Sequence, residues 1–304
     1  MNPPSPPSST VASHGLQAQA VGHYENFPVA SLLCPPHLRA PVMAIYHFAR
    51  TADDIADEGD ASPQERLDAL DAYRADLAAA AHGGGSSARW PQVFDPLARA
   101  IAGHRLPERL LTDLLDAFAQ DIAFTRDARR YADRAELADY CRRSANPVGR
   151  LLLHLYGTGD AASLAMSDRI CTALQLINFW QDPSVDIPRG RLYFTTADCE
   201  RFGVDEAALR SLEPTPEAAR LVADCCAWAR AGMLAGAPLV HRIPGRAGWE
   251  LRLVVQGGLR ILDRIAAIGH RTLERRPTVG ARDLPVMLWR ALRMGQSRPT
   301  TAAS

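Results

Sequence analysis

Lysine is missing from the chain: its 34 basic side chains are all arginine, and they stand against 34 aspartates and glutamates. The formal net charge of zero leaves no overall pull toward nucleic acid or anionic lipid, so charge has meaning only where it is locally concentrated. No nucleic-acid partner is expected. The six cysteines (Cys34, Cys141, Cys171, Cys199, Cys225, Cys226) include no CxxC pair and no His/Cys cluster, which excludes a disulfide framework and a structural zinc site. No apolar run approaches the roughly 18 residues of a bilayer span. MNPPSPPSSTVASHG lacks the basic-then-apolar pattern of an export signal, so the expectation is a cytoplasmic protein with reduced thiols. Convincing period-2 strands are absent too.

What is present is helical periodicity. From His23 onward, long amphipathic stretches alternate with short punctuation such as HGGGSS (82–87), YGTGD (156–160) and HRIPGRAG (241–248). Alanine, leucine and arginine dominate, so a single all-α domain is expected over 21–293. The Pro/Ser/Ala-rich residues 1–20 have too little apolar bulk to offset the entropy of ordering and are read as a disordered tail, with 294–304 as a flexible C-terminus.

Charge first accumulates in YHFARTADDIADEG, residues 46–59. At about 100° per residue, Val42, Ile45, Ala49, Ala52 and Ala56 fall on one apolar stripe, with Tyr46, Arg50, Asp53 and Asp57 on a second stripe beside it. Taken alone, this could be a solvated acidic face with Arg50 in a helical ion pair. Yet carboxylates at i and i+4 repel, and aspartate is a poor mid-helix residue. A compensating cation is required, and Mg²⁺ suits the oxygen ligands because it keeps phosphate or water oxygens in its other positions.

A second polar stripe lies in LQLINFWQDPSVDIPRGRLYF, residues 174–194. Gln175, Asn178, Asp182 and Asp186 would share one face of a helix, although Pro183 should kink it near Asp182 and Pro188 should end it. Arg189 and Arg191 follow, with Tyr193 just beyond. Carboxylates running into arginines are what a metal-bridged diphosphate requires, since metal ions neutralise some phosphate oxygens and guanidinium groups clamp others. Two such stripes on separate helices point to a site between facing helices.

DDIAD (53–57), NFWQDPSVD (178–186) and RGRLYF (189–194) together resemble the squalene/phytoene synthase family, with similarity running from HYENFPVASLLCP (23–35) to RRPTVGARDLPVMLWRAL (275–292). The resemblance implies an all-α isoprenoid synthase bundle around a central cavity. It implies Asp53, Asp57, Asn178, Asp182 and Asp186 as Mg²⁺ ligands, and His23, Asn26, Tyr46, Arg50, Gln175 and Arg191 as groups around a prenyl diphosphate, where Arg189 would join them. Tyr193 is implied as part of the catalytic cavity around the second motif.

Many relatives carry a tyrosine-bearing YCxYxAGxVG-like stretch associated with condensing two farnesyl units. This chain instead has YCRRSANPVG (140–149), with Arg142 at the tyrosine position. ENFPVASLL, SANPVGRLLLHLYG and LINFWQD look most similar to the hydroxysqualene-forming branch of hopanoid biosynthesis. That branch ionises presqualene diphosphate and lets water capture the cation, without NADPH. Arg142 and Asn146 are then candidates for lining the water-bearing end of the cavity. Such a greasy substrate implies transient contact with the inner membrane or with a partner synthase.

Four other readings compete. A squalene or phytoene synthase would condense two prenyl diphosphates head to head. GTGDAA (157–162) loosely matches a dinucleotide loop, but with no strand before it helix caps explain it better. A chain-elongating prenyl synthase would need a second DDxxD, and a non-catalytic helical scaffold need not have retained both ligand sets. His47, His154 and the five tryptophans are read as core residues, with Phe48 and Trp180 as candidates for lining a prenyl pocket, and Cys225-Cys226 as helix packing.

Overall fold

Helices begin where short polar residues or prolines stand and end at glycine or polar turns. The computed structural model describes residues 34–295, so His23, Asn26 and most of both expected tails lie outside the described residues. In chain order the helices are α1 (Arg39–Asp57), α2 (Pro63–Ala81), α3 (Pro91–His104), α4 (Glu108–Arg126), α5 (Arg134–Ser144), α6 (Asn146–Leu155), α7 (Ala161–Gln181), α8 (Pro183–Asp186), α9 (Thr196–Phe202), α10 (Glu206–Arg210), α11 (Pro216–Gly236), α12 (Gly245–Ala267) and α13 (Leu284–Leu292). No strand occurs among the described residues, and no helix there is long and apolar enough to cross a membrane.

Ser62 starts α2 with a reciprocal capping box: its hydroxyl accepts from the Glu65 amide while Glu65 accepts from the Ser62 amide. Asp160 caps α7 through the Ser163 amide, and Thr215 caps α11 through the Ala218 amide. Each such cap contributes about 1 kcal/mol. GTGDAA is therefore a helix junction: α6 closes into Gly157 at φ 67° and α7 opens at Asp160.

The apolar faces build two adjoining clusters. In the first, α1 to α4 pack around Phe48, Tyr73, Trp90 and Phe94; Phe48 stacks on Tyr73 at 5.2 Å, and the Tyr73 hydroxyl donates to the Phe48 carbonyl at 3.0 Å. The second joins α5, α7, α11 and α12, with Trp180 stacked on Phe194 at 5.2 Å. Beside the second cluster, α1, α6, α7 and α12 form a solvent-open apolar cavity lined in part by Val42, Leu152, Leu153, Ile170, Leu174 and Val254.

Several expectations need correction. Phe48 and Trp180 are fully buried in the two cores and do not line this cavity. His47 and His154 are exposed rather than core residues, and His154 Nε2 lies 2.8 Å from the His104 carbonyl. Trp249 and Trp289 are exposed as well. Cys225 and Cys226 are buried packing residues of α11, and all six cysteines are free thiols.

The packing of α11 on α7 is close because Gly236 carries no side chain. A Cβ there would stand 2.6 Å from the Met166 carbonyl oxygen and 2.7 Å from Ile170 Cγ1. Backbone cannot yield as a flexible side chain can, so Gly236→Ala should destabilise the fold by about 1–3 kcal/mol, measured by denaturant unfolding. Unchanged stability would show that the two helices have slack.

Candidate active site

The first acidic stripe occupies the last turns of α1, where the negative end of the helix dipole adds to the carboxylate charge. Arg50 reaches forward along the helix to Asp53 (3.2 Å), Asp54 (2.8 Å) and Glu58 (3.0 Å), and so supplies part of the compensation the sequence demanded. Tyr46 is half-buried one turn earlier. Burial, followed by the charges of Asp57 and Asp54, raises the Asp53 pKa to about 6 despite Arg50.

The second stripe is not one continuous helix. α7 stops at Gln181, Asp182 serves as its C-cap at φ −109° and ψ 18°, and Pro183 opens the short α8. The proline lacks the amide needed to continue the ladder, which is why the helix breaks there. Pro188 marks the end of the α-helical element as expected, since α8 stops at Asp186 two residues before it. It sits inside a 3₁₀ turn, Ile187–Arg189, and the chain reverses at Gly190, whose φ of 84° suits glycine.

This break changes how the ligand stripe is presented. Gln175 and Asn178 remain half-buried on α7, while Asp182 and Asp186 are carried by the cap and the following turn. Arg276, from the segment after α12, grips Asp182 through Nε at 2.5 Å and Nη2 at 3.1 Å. Burial and the neighbouring Asp182 charge raise Asp186 to about 7. Arg189 is exposed at the rim.

Arg191 joins the two motifs. Its guanidinium donates from Nη2 to Asp57 Oδ1, although 134 residues separate them. The charges of Asp57 and Asp121 hold the guanidinium firmly protonated despite burial. Its Nε is buried and has no hydrogen-bond partner in the protein. Phosphate oxygen is a natural acceptor for such a donor.

Behind Arg191 lies a recess of about 260 Å³ lined by Asp121, Phe124, Tyr131, Gly190 and Tyr193, among others. Tyr193 stacks on Phe179 at a 3.6 Å centroid separation. Asp121 accepts a 2.5 Å hydrogen bond from the Tyr140 hydroxyl, and its pKa is raised to about 7 chiefly by burial. The sequence reading missed both Asp121 and Tyr140. A signal existed: Asp121 falls on the same helical face as Leu114, Ala117 and Phe124, where an apolar residue would be expected.

Arg142 is corrected most plainly. Its side chain is 57% exposed and pairs with Asp139 at 2.8 Å, because helix phase turns Tyr140 and Cys141 inward and Arg142 out. Asn146 is buried, but its side-chain oxygen accepts from Thr172 Oγ1 at 2.9 Å and the residue does not line the large cavity. That cavity begins at Leu174, one turn of α7 from Asn178, and runs past Cys171, Ile170 and Ser167; no residue of the acidic motifs lines it.

The donor set fits magnesium. Burial first, and then the charge of neighbouring carboxylates, raises the pKa values of Asp53 and Asp186, and a divalent cation at these hard oxygens would favour their ionised form. No three carboxylates, imidazoles or thiols among the described residues form a ready-made metal cage.

An all-α bundle with two facing acidic helix ends, arginines between them and an apolar cavity below has the architecture of an isoprenoid-diphosphate-handling protein. Residues 20–283 match the squalene/phytoene synthase family, and the chain belongs to it. It is similar to the hydroxysqualene synthase of Sinorhizobium fredii, 37% identical over 66% of this chain and 67% of that protein. It is also similar to that of Zymomonas mobilis, at 39% identity over 60% of this chain and 59% of its relative. Among solved structures, squalene synthase HpnC from Alicyclobacillus acidocaldarius is similar with a TM-score of 0.73 and 37% identity, covering 82% of this chain and 90% of that one.

The raised carboxyl pKa values have a measurable sign. A carboxyl raised in the folded protein keeps a proton the unfolded chain has lost, so metal-free stability should fall as pH rises from about 4 to about 7. The melting temperature without divalent ions should decline across that window, and Mg²⁺ should raise it more at about pH 8 than at about pH 5. Asp53→Asn should flatten the decline and shrink the Mg²⁺ effect. Equal Mg²⁺ shifts at both pH values would contradict the crowding.

Proposed function

We propose that the protein is a hydroxysqualene synthase that ionises presqualene diphosphate in the presence of Mg²⁺ and lets water capture the resulting cation. The observation that carries the reading is the Arg191–Asp57 bridge, which ties the two acidic motifs together, with an apolar cavity lined by Val42 and Leu174 one helical turn from Tyr46 and Asn178. Relatives bearing that name, at 37% and 39% identity, support the choice of product.

Asp53, Asp57, Asn178, Asp182 and Asp186 would hold the metal, which when bound neutralises charge building on the departing diphosphate. Arg50, Arg189 and Arg191 would take the remaining phosphate oxygens, with the unpaired Arg191 Nε as the donor placed for that role. Tyr46 and Gln175, half-buried beside the two motifs, would orient the head of the substrate.

The carbon–oxygen bond to diphosphate breaks with its electron pair leaving on oxygen. The cyclopropylcarbinyl cation rearranges, water adds and one proton is released. No hydride donor enters this balance, so NADPH is not required. Below the diphosphate, aliphatic walls such as Leu152, Ile170, Leu174 and Val254 exclude bulk water and fold the hydrocarbon.

Incubation with presqualene diphosphate and Mg²⁺ should yield hydroxysqualene and diphosphate equally with and without NADPH. Squalene formed only with NADPH, or phytoene from a geranylgeranyl precursor, would replace this reading. Asp57→Asn and Arg191→Ala should each slow diphosphate release by about 100-fold or more, equivalent to about 3 kcal/mol of transition-state stabilisation. Arg142→Ala should leave the rate within about twofold, as expected for a side chain on the outer surface.

A further inference from the structure

The short helix α13 is held firmly, yet its apolar side faces outward. Arg260 and Arg264 both bond Asp283 at 2.7 Å just before it, and Arg290 within it reaches Asp263 at 2.6 Å. Only Met287 and Ala291 of the helix are buried. Leu284, Leu288, Trp289 and Leu292 are 46%, 50%, 51% and 67% exposed, an apolar ridge at i, i+4, i+5 and i+8.

Trp249 extends this ridge from the first turns of α12. It is 44% exposed, and the Arg252 guanidinium lies 5.1 Å from its ring while donating to the Ala291 and Met294 carbonyls at 3.0 and 2.5 Å. Arg293 similarly lies over Trp289 at 4.1 Å. Residues 275–295 contain five arginines, of which Arg276 is bound to Asp182 and Arg290 to Asp263, and one carboxylate, Asp283, which is held by Arg260 and Arg264. A chain of zero net charge thus concentrates positive charge around exposed tryptophan and leucine.

We propose that α13 and Trp249 form a docking surface for an anionic lipid bilayer. Tryptophan and leucine would enter the interface while the arginine rim pairs with phosphate headgroups, the arrangement by which amphipathic elements lie on membranes. A second copy of the chain fits less well, because an isologous contact would place the same arginine-rich rims against each other. The surface also adjoins the cavity: Glu250 and Leu251, next to Trp249 in sequence, and Val254 a turn later contribute to its lining. A hydrocarbon could pass between bilayer and cavity along that turn. This last point rests on the proposed function, whereas docking does not and is measured without turnover.

The test is flotation of the full chain with vesicles of phosphatidylcholine alone and of phosphatidylcholine mixed with phosphatidylglycerol. Binding should be confined to the anionic vesicles and weaken with salt, as expected for screened headgroup contacts. The exposed double substitution Leu288→Glu with Trp289→Glu should reduce partitioning by about tenfold or more, and Arg293→Glu should also weaken it. Melting temperatures should stay at the parent value, and Leu292→Glu provides a second variant should the double substitution unfold. Equal binding to both vesicle types, no binding to either, or variants that bind like the parent would overturn the proposal. So would variants whose only change is conversion of a dimer to a monomer.

Discussion

Like charges brought together at helix C-termini are the constraint on which this site depends. Asp53 and Asp57 end α1, and Asp182 caps α7, so both helices point the negative ends of their dipoles at a region already rich in carboxylate. Burial sharpens the repulsion and raises the pKa values of Asp53, Asp121 and Asp186. Arginine offsets it from three directions: Arg50 from within α1, Arg191 from the turn after α8, and Arg276 from beyond α12. The resting arrangement is a set of ion pairs within the protein.

The helix break at Pro183 belongs to the same design. Continuing α7 would hold all four polar residues on one rigid stripe. Stopping it at Asp182 instead turns the chain through α8 and Gly190, returning Arg191 and Tyr193 toward α1. Arg191 then meets Asp57, while Tyr193 settles onto Phe179. The polar end and the apolar cavity are thereby stacked along α7, with Asn178 one turn above Leu174. Polar and apolar surroundings thus adjoin along one helix.

Much of this was legible from local patterns. Helical periodicity, cap residues and the absence of strand alternation determined the all-α class, since those signals arise within a few residues of each other. Spacing of i, i+3 and i+4 converts directly into a shared helix face for Asp53 with Asp57 and for Gln175 with Asn178, whereas the break at Pro183 takes Asp182 and Asp186 off that helix. Arg142 was misjudged because its role was assigned from a position in a motif, whereas the phase of α5 sends that position outward. His47, Trp249 and Trp289 were misplaced for a related reason: residue type predicts average burial, but packing decides which side of a helix is covered.

By itself, then, the sequence determined the helices and where the two acidic motifs fall along the chain, because each depends on local spacing. Only the tertiary structure decided that Arg191 would meet Asp57, that Arg276 would hold Asp182, that Asp121 and Tyr140 would be buried together, and that α13 would show its apolar side to solvent. Those pairings join residues on different helices, and their geometry is set by how whole helices pack, which no local spacing encodes.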